Sequence, residues 1–196
     1  MNEIKLEDLM SLEKYDEVRN TYRAGVIDHK RARQILIGPD IVLFFEDKKT
    51  VAYQIQEMLR TEKIFERRGI QDELDAYNSL IPEGNNWKAT MMIQIPDVDA
   101  RRAALARFVG IENSCWVKTG DADPVFALAD EDLDRTTSHK TSAVHFLRFQ
   151  LPESMRAVIK SGEEFSIGFD HVEYEHSVSL VSGALADSLR ADLTSD

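Results

Sequence analysis

The sequence is poor in cysteine. Cys115 is the only one in 196 residues, so no disulfide can form within the chain, and this fits a reducing compartment. The residue lies between Ser114 and Trp116 in a predicted strand. A lone thiol in that position is more often a small core residue than a reactive group.

Long apolar runs are missing too. No stretch approaches the roughly 18 apolar residues that a membrane-spanning helix needs. The opening residues MNEIKLEDLM are too acidic and too poor in apolar side chains for a signal peptide. We therefore expect a cytoplasmic protein without a membrane partner.

Positive charge is in deficit, with 24 lysines and arginines against 35 aspartates and glutamates and a net charge of -11. Nucleic acids and anionic membranes reward clustered basic residues, so neither is expected as the main partner. The length suits one compact domain over residues 1–196 and is compatible with homo-oligomers.

The common catalytic motifs are absent from the sequence. There is no Walker loop, dinucleotide-binding glycine motif, His-Glu-x-x-His helix or Gly-x-Ser-x-Gly turn. The enzyme classes that carry these motifs are therefore disfavoured as functions of this chain. The sequence does not decide between another kind of enzyme and a binding protein.

A helical hairpin stands out among the features that are present. An apolar stripe at helical spacing, made of Val51, Ile55, Met58, Leu59 and Phe65, predicts a helix that starts near Thr50 and ends at Gly69. A second apolar stripe predicts another helix, from residue 70 to residue 81. We expect this pair to be the central element of the fold.

Alternating or uniformly apolar segments predict about seven strands, most of them joined by hairpins. Gly38-Pro39-Asp40 and Gly120–Pro124 are the two clearest turns. Thr141–Leu151 has apolar residues on both faces, as expected of a central strand. The pattern predicts an α+β fold with a largely antiparallel sheet packed against the helical hairpin.

Four polar residues form the best candidate site. Glu57 and Glu62 fall on the first helix of the hairpin, Glu73 falls on the second, and His145 falls on the central strand. Carboxylates and an imidazole can bind iron, manganese or zinc, or act as general acid and base. The competing interpretation is structural, with the carboxylates paired to arginine and His145 bonded to a carbonyl group.

Glu62 gives the sharpest expectation, because the helical pattern places it on the buried side. A buried carboxylate needs a partner. The candidates are Arg148, His145, or a metal ion shared with Glu57 or Glu73.

Two other acidic stretches are weaker candidates. Asp130–Asp134 has alternate carboxylates but departs from a calcium-binding loop, since Arg135 and Thr141 occupy the places of its glycine and its glutamate. It is interpreted as a solvated turn. The segment Asp170–His176 splits its histidines and glutamates between two faces and is placed at the surface.

The chain resembles a family of bacterial proteins catalogued as domain of unknown function 3501. The similarity is clearest in VAYQIQEMLRTEKI, GIQDELDAYNSLIPEG, RRAALARFVGIE and TSAVHFLRFQL, and it runs from LEDLMSLEKY to the last predicted helix. The resemblance implies a context of redox or peroxide-defence work, since members are often encoded beside a rubrerythrin-like protein and an iron–sulfur oxidoreductase. It implies no particular reaction.

Two functions from different classes follow. The first is an accessory or binding protein that acts with such a redox partner, because one cysteine cannot hold an ordinary four-cysteine cluster. The second is a carboxylate-centred, hydrolase-like enzyme that uses Glu57, Glu62, Glu73 and His145 with a divalent metal.

Overall fold

The structure is a computed structural model that describes residues 3–194. In this range the helices α1 to α6 are Leu12–Arg31, Lys48–Glu62, Arg67–Asn78, Val98–Arg107, Glu153–Lys160 and Ala184–Ala191. The strands β1 to β9 are Gln34–Ile37, Ile41–Phe45, Asn86–Ile93, Cys115–Thr119, Val125–Phe126, Leu128–Ala129, Val144–Gln150, Phe165–His171 and Tyr174–Leu180. All strand pairs are antiparallel, which confirms the predicted α+β class.

The larger sheet has the strand order β1-β2-β3-β7-β6. Its middle pair, β3 and β7, sets Met91 opposite His145 and Lys88 opposite Arg148. Because side chains alternate between the faces of a strand, His145 points to the inner face, whereas Lys88 and Arg148 point to the outer face.

The smaller sheet has the order β5-β4-β8-β9 and is joined to the larger sheet on two sides. On one side the chain passes Ala127 and continues from β5, which pairs with β4, into β6, which pairs with β7. On the other side the Tyr174 hydroxyl of β9 donates to the carbonyl of Ile37 and accepts from the amides of Asp40 and Ile41. This contact ties β9 to the turn between β1 and β2.

The main core lies between the inner faces of the two sheets. Its largest members are Phe45, Trp87, Phe149, Phe165 and Phe169, all nearly or fully buried. The indole N–H of Trp87 donates to the carbonyl of a residue in α6, so the buried ring keeps its hydrogen bond. Helices α4, α5 and α6 contribute the remaining core contacts.

Helices α1, α2 and α3 form a separate, smaller core. Val51, Ile55 and Leu59 of α2 meet Leu74 of α3 and Ile81, as the apolar stripes predicted. Phe65 was predicted in the same stripe but is exposed, because it lies beyond the end of α2. The layer lies beside the outer face of the larger sheet, where Lys88 of β3 reaches the carbonyl group of the residue that follows α3. No helix among residues 3–194 is long and apolar enough to cross a membrane.

The predicted ends of α2 need correction. Asp47, rather than Thr50, is the N-cap, since its carboxylate accepts the amide of Thr50 while the Thr50 hydroxyl accepts the amide of Asp47. The helix ends when Lys63, rather than Gly69, takes the left-handed conformation. Gly69 lies in the first turn of α3. The sequence pattern favoured glycine for that conformation, but lysine adopts it here.

Candidate functional site

Glu57 is a partner in an ion pair. Its carboxylate accepts two hydrogen bonds from Arg19 of α1, at 2.7 and 2.6 Å, and one from the Tyr15 hydroxyl at 2.5 Å. The bidentate Arg19 guanidinium holds the pKa of Glu57 below its usual range. Burial raises the pKa of the Tyr15 hydroxyl, and its hydrogen bond to the Glu57 carboxylate raises it further. Glu57 therefore joins α2 to α1, as the structural interpretation expected.

The prediction that Glu62 is buried is wrong. Glu62 is the last residue of α2 and is exposed, because the helix ends there instead of continuing to Gly69. Neither proposed protein partner reaches it, since Arg148 pairs with Glu131 and His145 pairs with Asp130. Its charge acts instead on Glu73 of α3, whose pKa is raised by burial and then by Glu62.

The structure does not assemble the predicted set of Glu57, Glu62, Glu73 and His145 around one point. Glu57 faces α1, the Glu62 and Glu73 pair lies at the α2–α3 connection, and His145 faces the main core. Among residues 3–194, no group of three or more histidine, cysteine or acidic side chains is placed to hold a metal ion.

His145 belongs to a buried polar network instead. The ring is fully buried, with Nδ1 2.5 Å from an Asp130 carboxylate oxygen and Nε2 2.7 Å from the Thr141 hydroxyl. Thr141 in turn lies 3.2 Å from a carboxylate oxygen of Glu112. The same Nε2 also lies 3.1 Å from the carbonyl oxygen of Ser142, so both ring nitrogens of His145 have polar partners.

Asp130 connects this network to the segment that follows β6. Its second carboxylate oxygen accepts the amide of Phe146 and one N–H of Arg135. Arg135 also binds Asp132 through two hydrogen bonds and lies over the Phe146 ring. The prediction of a fully solvated acidic turn therefore fails at Asp130, which is almost buried.

Thr141, His145 and Asp130 have the order of a nucleophile, a base and an orienting carboxylate. The Thr141 hydroxyl, however, is buried with its neighbours and faces Glu112 and Thr136. A buried hydroxyl leaves no room for a substrate. The arrangement is therefore a structural brace rather than a catalytic site. It fixes the segment Asp130–Arg135 against β7.

That segment forms one wall of a cleft of about 440 Å³ on the outer face of the larger sheet. We call it the Lys88 cleft, lined chiefly by Leu80, Glu83, Lys88, Leu128, Phe146 and Arg148. The residues after α3 supply the opposite wall, and β3 and β7 supply the floor. Its volume falls within the range of roughly 300–1,000 Å³ that is usual for small-ligand sites.

Lys88 is the nearly buried cation of this cleft. Its side chain is only 10% exposed, and its ammonium donates to the carbonyl of Ser79 at 2.7 Å. Burial lowers the pKa of Lys88; the negative charge of Glu83 opposes this, and the positive charge of Arg148 on the neighbouring strand adds to it. A perturbed cation in a cleft is a candidate for a functional residue.

Arg148, Glu131 and Glu46 have close hydrogen-bonding partners. Arg148 makes two hydrogen bonds of 2.7 Å to Glu131, which holds the pKa of Glu131 below its usual range. The buried Glu46 accepts from the hydroxyls of Thr90 and Thr50. Lys88 is therefore the cation of this site with the weakest compensation.

The remaining clusters are surface or structural. In the segment Asp170–His176, Asp170 lies opposite Glu175 on paired strands at the surface, as expected. Arg33, two residues after α1, has a structural role. It is buried and donates to Asp192, whose own pKa is raised by burial.

Lys88 was not predicted as a functional residue, because a lysine that alternates with apolar residues in a strand is expected on the solvent side. Arg148 was considered only as a partner of Glu62. The sequence does show that each of these two strands carries one lysine or arginine among mostly apolar residues. Their pairing and the wall that covers them depend on contacts between distant segments.

Comparison with known proteins gives a family. A family model described as "Protein of unknown function (DUF3501)" matches residues 3–193. A crystal structure of a protein of unknown function from Burkholderia pseudomallei K96243 is 48% identical, covers 99% of this chain and 100% of its own, and has a TM-score of 0.92. No curated protein matches. The resemblance in the sequence is thus confirmed, and the chain belongs to the DUF3501 family.

Proposed function

We propose that this protein is an accessory or binding protein of a bacterial redox or peroxide-defence system. It acts with a rubrerythrin-like or iron–sulfur oxidoreductase partner, and the Lys88 cleft is its binding site. The identity of the partner class rests on the family resemblance. The binding role rests on the structure of the cleft.

The observation that carries the binding role is the position of Lys88. A cation that is nine-tenths buried loses much of its hydration, and a protein keeps it charged only with compensating partners. Here Lys88 faces a cleft whose lining combines apolar side chains with charged ones, so a ligand would meet both an apolar surface and fixed charges.

Co-purification from the native host tests the proposal. We expect the tagged chain to enrich the rubrerythrin-like protein or the iron–sulfur oxidoreductase, and Lys88→Met to lose this enrichment. Lys14→Met is the matched control, because Lys14 is an exposed lysine on α1. The proposal fails if neither redox protein is enriched and their activities do not change when the chain is added.

A metal-dependent, hydrolase-like enzyme is the second candidate, and one observation favours it. Glu62 and Glu73 are close enough for the charge of Glu62 to raise the pKa of Glu73, and a cation between them would remove that repulsion. Elemental analysis of untagged protein tests it, with Glu73→Gln as the disrupting variant and Glu57→Gln as the control. A protein without metal whose melting temperature does not respond to zinc, manganese or iron contradicts this candidate.

A further inference from the structure

The ammonium group of Lys88 has unused donors. An ammonium carries three N–H donors. The residues that the structure describes offer it one acceptor within hydrogen-bonding distance, the carbonyl of Ser79, while the nearest carboxylate oxygen, on Glu83, is 3.7 Å away. Two N–H groups can therefore donate to a molecule in the cleft.

Arg148 adds a second positive charge at the floor of the Lys88 cleft. It lies directly opposite Lys88 on the paired strand, and like charges in that position disfavour each other. Glu131 balances Arg148 through two hydrogen bonds of 2.7 Å, whereas the ion pair between Lys88 and Glu83 is longer, at 3.7 Å. An anionic group beside Lys88 would supply the missing balance.

The rim of the cleft limits how much negative charge can enter. The side chains of Glu83 and Glu131 are 68% and 53% exposed, and Asp132 also faces solvent there. These carboxylates repel a dianion more than a monoanion. Between the rim and Lys88, the walls include the apolar side chains of Leu80, Leu128 and Phe146.

We propose that the Lys88 cleft recognises an apolar group that ends in a single carboxylate. The carboxylate accepts hydrogen bonds from the two free N–H groups of Lys88, and the apolar part lies against Leu80, Leu128 and Phe146. The inference rests on the proposed function only in taking the cleft as the binding site. The same chemistry is present in a small free acid and in the carboxyl terminus of a partner chain.

Isothermal titration of the full chain tests the ligand class with three eight-carbon probes. Octanoate carries one negative charge, octyl phosphate carries up to two, and octylamine carries a positive charge. We expect octanoate to bind more tightly than the other two. Tighter binding of octyl phosphate or octylamine overturns the proposal, as does the absence of octanoate binding.

Variants at Lys88 locate the binding site. Lys88→Met should weaken octanoate binding by about tenfold or more, the usual effect of losing a hydrogen bond to a charged group. Lys88→Arg keeps a charged donor and should retain most of the affinity, and Lys14→Met should bind as the wild type does. Circular dichroism confirms that each variant is folded. Unchanged binding in folded Lys88→Met overturns the inference.

Competition separates the two sources and separates this inference from the proposed function. If octanoate displaces the captured redox protein, the carboxylate belongs to that partner. A complex that survives octanoate shows that the cleft takes a free acid and overturns the cleft as the binding site of the partner. Failure of octanoate to bind, with partner capture still lost in Lys88→Met, overturns this inference alone. Failure of partner capture with octanoate bound overturns the proposed function alone.

Discussion

At the scale of single residues, the charges of this protein are held by partners far away in the sequence. Glu57 binds Arg19 and Tyr15, and Asp130 binds His145. A carboxylate that is already held by donors stabilises the fold without requiring a ligand. The next two predictions test this role at Glu57 and His145.

Glu57→Gln should destabilise the protein by roughly 1–2 kcal/mol, the range for a half-buried, bidentate ion pair with an added hydroxyl donor. The folded-state pKa of Glu57 is lowered, so its contribution is present above the usual glutamate pKa and is lost as the pH falls through the lowered value. The loss in Glu57→Gln should therefore shrink in acid. Urea unfolding at several pH values measures it.

Glu17→Gln is the control for that experiment, since Glu17 pairs with Lys14 on an exposed surface. It should change stability by less than about 0.5 kcal/mol. Equal losses in the two variants would contradict the role of Glu57 in joining α1 to α2.

His145→Leu should cost about 3 kcal/mol, because it leaves the carboxylate of Asp130 and the hydroxyl of Thr141 without their buried partner. Thermal and urea unfolding measure the loss. His139→Leu, at an exposed histidine of the same connection, should be nearly neutral. If His145→Leu is as stable as the wild type, the brace between Asp130 and β7 contributes nothing.

At the scale of elements, the β1–β2 hairpin depends on the backbone of its turn. Gly38 has a φ of +68°, and a Cβ there would lie 2.6 Å from the Tyr174 hydroxyl oxygen and 2.5 Å from the His176 ring. Gly38→Ala should therefore destabilise the protein by about 2 kcal/mol. Differential scanning calorimetry gives the change in melting temperature.

Gly25→Ala is the matched control. Gly25 lies within α1, and a Cβ there would meet no atom within 4 Å. Alanine favours the helix over glycine, so this change should stabilise the protein by roughly 0.5–1 kcal/mol. A loss of stability in Gly25→Ala would show that α1 needs glycine for another reason.

Local patterns predicted most of these elements from the sequence. The β1–β2 turn and the strand Cys115–Thr119 follow from neighbouring residues, and the structure contains them. The end of α2 was wrong because a lysine takes a conformation that statistics give to glycine. The Lys88 cleft was missed because its walls come from segments that meet only in the folded chain.

At the scale of the whole molecule, Cys115 is a probe of global unfolding. It is fully buried in the core between the sheets, and burial raises the pKa of its thiol. A thiol reagent should therefore label it only after the sheets separate, with a rate that rises with urea as global unfolding does. Time-resolved mass spectrometry of the labelled chain measures this rate.

An added cysteine at Ser177, an exposed position of β9, is the control and should react in the folded protein. Labelling of Cys115 as fast as the added residue would show that the core opens locally. In that case the two sheets would not behave as one cooperative unit.

The order of strands in the larger sheet bears on how the chain folds as it is synthesised. Strand β3 ends at Ile93, and its neighbour β7 begins only at Val144, after β4, β5 and β6 have been made. Until then, the edge of β3 that pairs with β7 has no strand beside it. Closing so long a loop is slow, and an unpaired strand edge recruits other chains. The nascent protein is thus most exposed to aggregation between the emergence of β3 and the arrival of β7 from the ribosome, which makes this interval the one in which a chaperone would act.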